Sequence, residues 1–223
     1  MKPLIIIQAR STSTRLPNKG NLLLINYHTV TDIILRRVAR CGIGVVLALP
    51  EGDLLTKGKY GLWVQVVTGD KLDVLSRYYK VVRDNNHSPI IRITGDCPLV
   101  DPLEINRLLS IYMDSGFDYV SNAHPIRSVA KGFDVEIFSR NALVSAHFRT
   151  KSLEHREHVT SYIHSSYNYG CYSEPEVVLP TEDNLSIDTE EDYLRVKKLY
   201  KKLYNKYGFE FTMQQAVEEY LNG

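Results

Sequence analysis

The sequence predicts an α/β fold in which helices flank a largely parallel sheet, and three observations carry that expectation. The apolar run Leu4 to Ile7 is uninterrupted and mostly β-branched, as a strand buried on both faces should be. Further short apolar runs at 44–49, 62–67 and 90–93 alternate with stretches of helical periodicity. No internal repeat, low-complexity tract or Pro/Gly/Ser linker interrupts the 223 residues, so one domain over 1–223 is expected.

Taken in order, the strand Leu4 to Ile7 feeds a polar loop from Gln8 to Gly20. Thr29 or Thr31 caps a helix running to Arg40, and the runs GVVLAL and LWVQVV supply the next two strands. Asp70 is the expected cap of a helix that carries Val74, Tyr78, Val81 and Val82. Ile90, Ile91 and Ile93 form a strand ending at the polar turn TGDCP, and Pro102 suits the first turn of a helix to Ser115. Tyr119 to Ser121, Phe133 to Phe138 and Leu185 to Ile187 read as shorter strands. Thr189 followed by Asp192 makes a capping box for a helix with Tyr193, Val196, Leu199, Tyr200 and Leu203 on one face.

Composition narrows the function classes. With 27 basic and 26 acidic residues the net charge is +1, which supplies no global field for gathering nucleic acid or an anionic membrane. Any anion must therefore meet a local site. Cys41, Cys97 and Cys171 are scattered and odd in number, the pattern of free thiols in a reducing compartment. No apolar stretch approaches the roughly 20 residues of a membrane span, and the N-terminal run is too short for a signal segment. A soluble cytoplasmic enzyme is the expectation.

In open α/β sheets, ligands bind beyond the carboxyl ends of the strands, so the loops there carry the candidate chemistry. The first, QARSTSTRLPNKG, sets Arg10, Arg15 and Lys19 among small hydroxyl residues, a composition able to wrap a polyphosphate with cations and backbone N–H groups. Gln8, Ala9 and Ser11 are the further nucleotide contacts expected from it. Lacking the necessary glycines, it is neither a Walker A loop nor a dinucleotide fingerprint. A solvated loop with scattered charge is the structural alternative.

Asp96 stands just past a buried strand, whereas Asp101 is explained as a helix cap. Asp188 likewise follows a strand, whereas Glu190, Glu191 and Asp192 fill a helix first turn, where acids favour the macrodipole. Magnesium retains waters and takes few protein ligands, so Asp96 and Asp188 form the expected metal pair. In LEHREHVTSYIH, a zinc site from His155, His158 and His164 lacks the HExxH order and a completing ligand set. Arg156 and His158 instead suit contact with an anionic acceptor, or a solvated helix face with local ion pairs.

Seven segments in order carry a family resemblance: IIIQARSTSTRLPNK, VLSRYY, RITGDCPLVDP, DYVSN, GFDVEIFS, REHVTSYI and SIDTEEDY. Together they resemble the cytidylyltransferase family that contains the spore-coat polysaccharide biosynthesis protein F type. That family is related to the synthetases that make CMP-linked ketosugar acids such as those of sialic acid and KDO. The resemblance implies a nucleotide-diphospho-sugar-transferase-like (Rossmann-like) fold with a mixed sheet, CTP over the first loop, Mg2+ as cofactor and a homodimer.

It implies triphosphate binding by Arg10, Arg15 and Lys19, and metal binding by Asp96 and Asp188. It also assigns Asn122, Asp134 and Glu136 to the acceptor pocket, with Arg127, Arg156 and His158 holding an acceptor carboxylate or phosphate. The sequence departs from the family pattern at Ser13 and Asn18, where glycine is common, and over 48–61, which is shorter and carries Leu49 and Pro50. The expected reaction is transfer of CMP from CTP to an acidic sugar or related small acid. A glycosyltransferase on a similar sheet and a silent nucleotide-binding relative are the alternatives.

Overall fold

The computed structural model describes residues 2–57, 60, 64–124, 127–166, 171–172 and 184–223. Its strands are β1 (Leu4–Gln8), β2 (Leu23–Ile25), β3 (His28–Thr29), β4 (Gly44–Pro50), β5 (Gln65–Gly69), β6 (Ile90–Thr94), β7 (Tyr119–Ser121), β8 (Glu136–Phe138) and β9 (Cys171–Tyr172). The helices are α1 (Val30–Ala39), α2 (Val74–Val82), α3 (Pro102–Ser115), α4 (Arg140–Arg149), α5 (Leu153–His158), α6 (Ser161–Ser165), α7 (Glu190–Tyr207) and α8 (Met213–Leu221).

The main sheet has the order β5-β4-β1-β6-β8-β7-β9, and β2 with β3 forms a separate hairpin. Pairs β1–β4, β1–β6, β4–β5 and β7–β9 are parallel; only β8 runs against its neighbours, antiparallel to both β6 and β7. This reversal matters for function. It brings the start of β8, at Glu136, to the sheet edge where β1, β6 and β7 end. From β1 the chain moves outward to β4 and β5, then returns to place β6 on the other side, which makes the β1/β6 boundary a topological switch point.

Strand alternation divides the core. Ile5, Ile7, Leu47, Ile91 and Ile93 pack on one face with Ile33, Ile105, Leu108, Val196, Tyr200 and Phe211, from α1, α3, α7 and the segment before α8. Leu4, Ile6, Val46 and Ile90 pack on the other with Val74, Tyr78, Val82, Leu143 and Ile163, from α2, α4 and α6.

Caps set most helix starts. Thr189 forms the expected capping box with Asp192, Thr29 rather than Thr31 caps α1 and does so through a capping box with Asp32, and Asp101 caps α3 with Pro102 in its first turn. The cap of α2 is Asp73, not Asp70: its side chain accepts from Ser76 N at 2.9 Å. Asp70 closes the preceding turn instead, accepting from Leu72 N and Asp73 N. β5 begins at Gln65, and Leu62 and Trp63 of the expected strand lie outside the described residues.

Two expected strands are shorter or replaced. Of Phe133 to Phe138 only β8 is strand, because the Asn122 side chain intrudes, its Oδ1 accepting from Val135 N at 2.9 Å. Leu185 to Ile187 is an extended connector held at both ends, by Leu185 N to Lys131 O and Ile187 N to Asp96 O, each 2.8 Å. It joins no ladder, yet it ties two site loops together.

Candidate active site

The site forms where β1 and β6 end. Gly95 N donates to Gln8 O at 2.7 Å, so the two strands stay close beyond their last paired residues. A Cβ at Gly95 would stand 2.6 Å from Ala9 Cβ, and only glycine permits that approach. Asp96 is thereby fixed beside the first loop. That loop turns back through Asn18, whose N–H donates to Ser11 O at 2.7 Å and whose φ of 58° is left-handed. Asparagine adopts this conformation more readily than most residues, so the turn forms here without a glycine.

On the other side, the 185–187 connector delivers Asp188. Gly132, at φ 114°, crosses it so closely that a Cβ would lie 2.5 Å from the Leu185 carbonyl carbon. The crossing sets Lys131 beside Asp188.

The resulting charge cluster joins segments far apart in sequence. Lys19 Nζ donates to Asp96 Oδ2 at 3.2 Å, Ile187 O at 2.7 Å and Asp188 Oδ1 at 3.2 Å. Arg15 Nη2 lies 3.3 Å from Asp188 Oδ1, and Lys131 Nζ lies 3.2 Å from Asp188 Oδ2. Burial alone would raise the Asp188 carboxyl; Lys19 and Lys131 outweigh it and hold the group below the ordinary carboxylate range.

The two aspartates expected to hold magnesium therefore do meet, with the Lys19 ammonium standing between them as a resident cation. Among the described residues no group of three or more His, Cys, Asp or Glu side chains could hold a metal alone. Two carboxylates, with room for waters and phosphate oxygens, fit magnesium. The imagined zinc site is dispersed: His155 Nδ1 bonds Ser161 Oγ at 2.8 Å, and His164 stacks on His124 with ring centroids 4.9 Å apart.

A cleft of about 420 Å³ opens beside this cluster, lined by Gln8, Ala9, Arg10, Arg15, Lys19, Asp96, Asp134, Glu136, His158 and Asp188 from the sequence reading. Arg10 faces Glu157 across it at 3.8 Å.

At the far end, Arg92 Nη1 donates to Glu136 Oε1, Tyr119 OH donates to Glu136 Oε2 at 2.9 Å, and Arg92 Nε donates to Gln8 Oε1 at 3.1 Å. Burial pushes the Glu136 carboxyl up, but the charge of Arg92, with Thr160, His124 and Tyr119, leaves it below its usual range. Asp134 is gripped by Arg127 through paired bonds of 2.6 and 2.8 Å.

Four expected contacts do not line the cleft. Ser11 is buried, its N–H committed to Asp53 Oδ2 at 2.8 Å. Asn122 is fully buried, and its amide group donates to Glu104 Oε1 and Phe133 O. Arg127 reaches the cleft only through Asp134. Arg156 ties helices together by bonding Asp73 Oδ2, His147 O and Thr150 O, a structural use of its charge.

Conversely, Arg77, Arg92, His124, Lys131 and Glu157 line the cleft and escape the sequence reading. A βα pattern gives no sign of where such side chains meet.

A cytidylyltransferase family model matches residues 4–219. The chain belongs to the cytidylyltransferase family. It is thus a CTP-dependent nucleotidyltransferase with the Rossmann-like sheet the sequence suggests. It is similar to the spore coat polysaccharide biosynthesis protein SpsF of Bacillus subtilis strain 168, at 33% identity over 89% of this chain and 86% of that one.

Among solved structures, a cytidylyltransferase from Leptospira borgpetersenii serovar Hardjo-bovis superposes with a TM-score of 0.86 at 28% identity, covering 98% of this chain and 93% of that one. A CMP:2-keto-3-deoxy-manno-octonic acid synthetase complexed with CTP shares the fold, with a TM-score of 0.69 at 15% identity over 91% and 99% of the two chains.

Proposed function

We propose that this cytidylyltransferase moves CMP from CTP to a hydroxyl of an acidic sugar or related small acid, releasing pyrophosphate, in the assembly of a surface polysaccharide. The observation that carries the reading is the cluster at the β1/β6 edge, where Arg15, Lys19 and Lys131 converge on Asp96 and Asp188. Long flexible cations at such a junction can exchange a carboxylate for a phosphate.

In this mechanism the acceptor oxygen attacks the α-phosphorus in line. The new O–P bond forms as the bond to the β-phosphate oxygen breaks, and pyrophosphate carries away the electron pair. Arg10, Arg15 and Lys19 stabilise charge on the α-phosphate and the leaving group, each well-placed donor being worth about 10² to 10³ in rate. Asp96 and Asp188 would hold magnesium, which when bound supplies charge neutralisation at the phosphates and eases loss of the acceptor proton. Asp134, fixed by Arg127, and His158 face the acceptor. Glu136, fixed by Arg92 and Tyr119, shapes the floor beneath it.

A cytoplasmic setting, in which CTP is at hand and Cys41 and Cys97 stay free, completes the reading. No helix of the described chain is long and apolar enough to cross a membrane. A single domain and a homodimer belong to the same proposal and rest on the sequence.

Titration calorimetry with CTP, ATP, GTP and UTP, with and without magnesium, tests the nucleotide half of the proposal. CTP is expected to bind tightest and to raise the melting temperature. Equal binding of all four, or of none, would refute it.

A further inference from the structure

Asp188 has more positive charge around it than its own neutralisation requires. Lys19 alone spends its three donors on Asp96 Oδ2, Ile187 O and Asp188 Oδ1. Arg15 and Lys131 add two further cations, at 3.3 and 3.2 Å from the same carboxylate. Two acids thus meet three bases.

The added pair does little structural work. The side chains of Arg15 and Lys131 are 65% and 47% exposed, and among the described residues neither makes any other side-chain hydrogen bond or ion pair. Exposed ion pairs contribute little to stability. The acids themselves are better shielded, with the Asp96 and Asp188 side chains 26% and 13% exposed and Lys19 between them 12% exposed, so solvent screens the charges less there.

We propose that these three cations make Asp96 and Asp188 a poor divalent-metal site in the nucleotide-free enzyme, and that a triphosphate opens the site by drawing Arg15, Lys19 and Lys131 onto its own oxygens. The inference rests on the reading of the cleft as a CTP site. Its physical basis is charge balance: a divalent ion approaching the free cluster meets a net positive charge, whereas the nucleotide brings anionic oxygens in excess. Guanidinium and ammonium groups bind phosphate at least as well as carboxylate, so the exchange is open to all three. Linkage then makes the effect mutual, and whatever factor the nucleotide adds to metal affinity, the metal adds to nucleotide affinity. Obligatory loading of metal before nucleotide is incompatible with this arrangement.

The test uses Mn2+ as a spin probe, following the loss of its free signal on titration into the full chain without nucleotide. Arg15→Met and Lys131→Met are the variants, chosen because both side chains are exposed and their loss leaves the core intact; a melting curve checks this. Each is expected to tighten Mn2+ binding by about fivefold or more, and the double variant by more than either, since each removes one repulsive charge. Asp188→Asn added to the double variant should abolish the gain. Mn2+ affinity unchanged in the double variant, or a gain that survives Asp188→Asn, would overturn the proposal. Metal-free CTP titrated into the wild-type chain forms the second arm. If CTP fails to bind there and also fails when the titration is repeated with Mn2+, the CTP reading is overturned, whereas CTP binding beside unchanged Mn2+ affinities in the variants would overturn the inference alone.

Discussion

The two ends of the cleft use the same residue types to opposite effect. Near the first loop, Asp96 and Asp188 are met by Arg15, Lys19 and Lys131 at 3.2 to 3.3 Å, through long side chains of which two are well exposed. Near β8, Asp134 is locked by a bidentate arginine, and Glu136 is sealed under Arg92 and Tyr119. Loose, over-supplied pairs can be exchanged for a ligand. Tight ones fix a shape, by bidentate geometry at Asp134 and by burial at Glu136. Burial and geometry, more than residue type, separate the groups that do chemistry from those that frame it.

The sharpest way to break this comparison is to remove an acid from each end. Asp96→Asn should lower CTP-dependent turnover by about 10² to 10³ with little change in melting temperature, because Lys19 keeps its bonds to Ile187 O and Asp188. Glu136→Ala should act the other way round. It strips the 12% exposed Arg92 side chain of its carboxylate, leaving the charge with its bond to Gln8, and should cost about 3 kcal/mol in urea unfolding. If Glu136→Ala folds as stably as the parent, the β8 end is not the rigid frame described.

Two smaller effects sharpen the contrast. Lys131→Ala should reduce kcat/KM by about tenfold while stability moves by no more than about 0.5 kcal/mol, as expected of an exposed pair. The last concerns pH. Glu136 and Asp188 both have native carboxyls below their ordinary range, so the unfolded chain takes up these protons first as pH falls. Their stabilisation is complete above the ordinary carboxylate range and is lost as pH drops through the depressed native values. Melting temperature followed from neutral to acid should therefore fall along a limb that Glu136→Gln flattens. An unchanged limb in that variant would remove Glu136 from the account.

What the sequence revealed follows the same division. The parallel sheet was legible because buried strands such as Leu4 to Ile7 and Ile90 to Ile93 are written in unbroken apolar runs. Asp96 and Lys19 were legible because the loops that carry them follow true strands, β6 and β1, whereas Asp188 stood out only because no cap required it, the 185–187 segment before it being no strand. Lys131 was not, since its place depends on Gly132 crossing the 185–187 connector, a contact that no local pattern records. Asn122 and Arg156 misled for a related reason. A polar side chain inside a motif segment looks alike whether it meets a ligand or completes a backbone bond, as Asn122 does with Val135 N. The helix α8 went unread although Thr212 and Gln215 spell the same capping box that announced α7.

The central claim is cytidylyl transfer at the β1/β6 edge. Its most direct test is pyrophosphate release with magnesium, comparing CTP with ATP, GTP and UTP across a panel of sugar acids and related small acids. Release that requires both CTP and one acidic acceptor, and that disappears in Asp96→Asn, is the predicted result. Acceptor-dependent release with a different nucleotide, or undiminished release by Asp96→Asn, would contradict it.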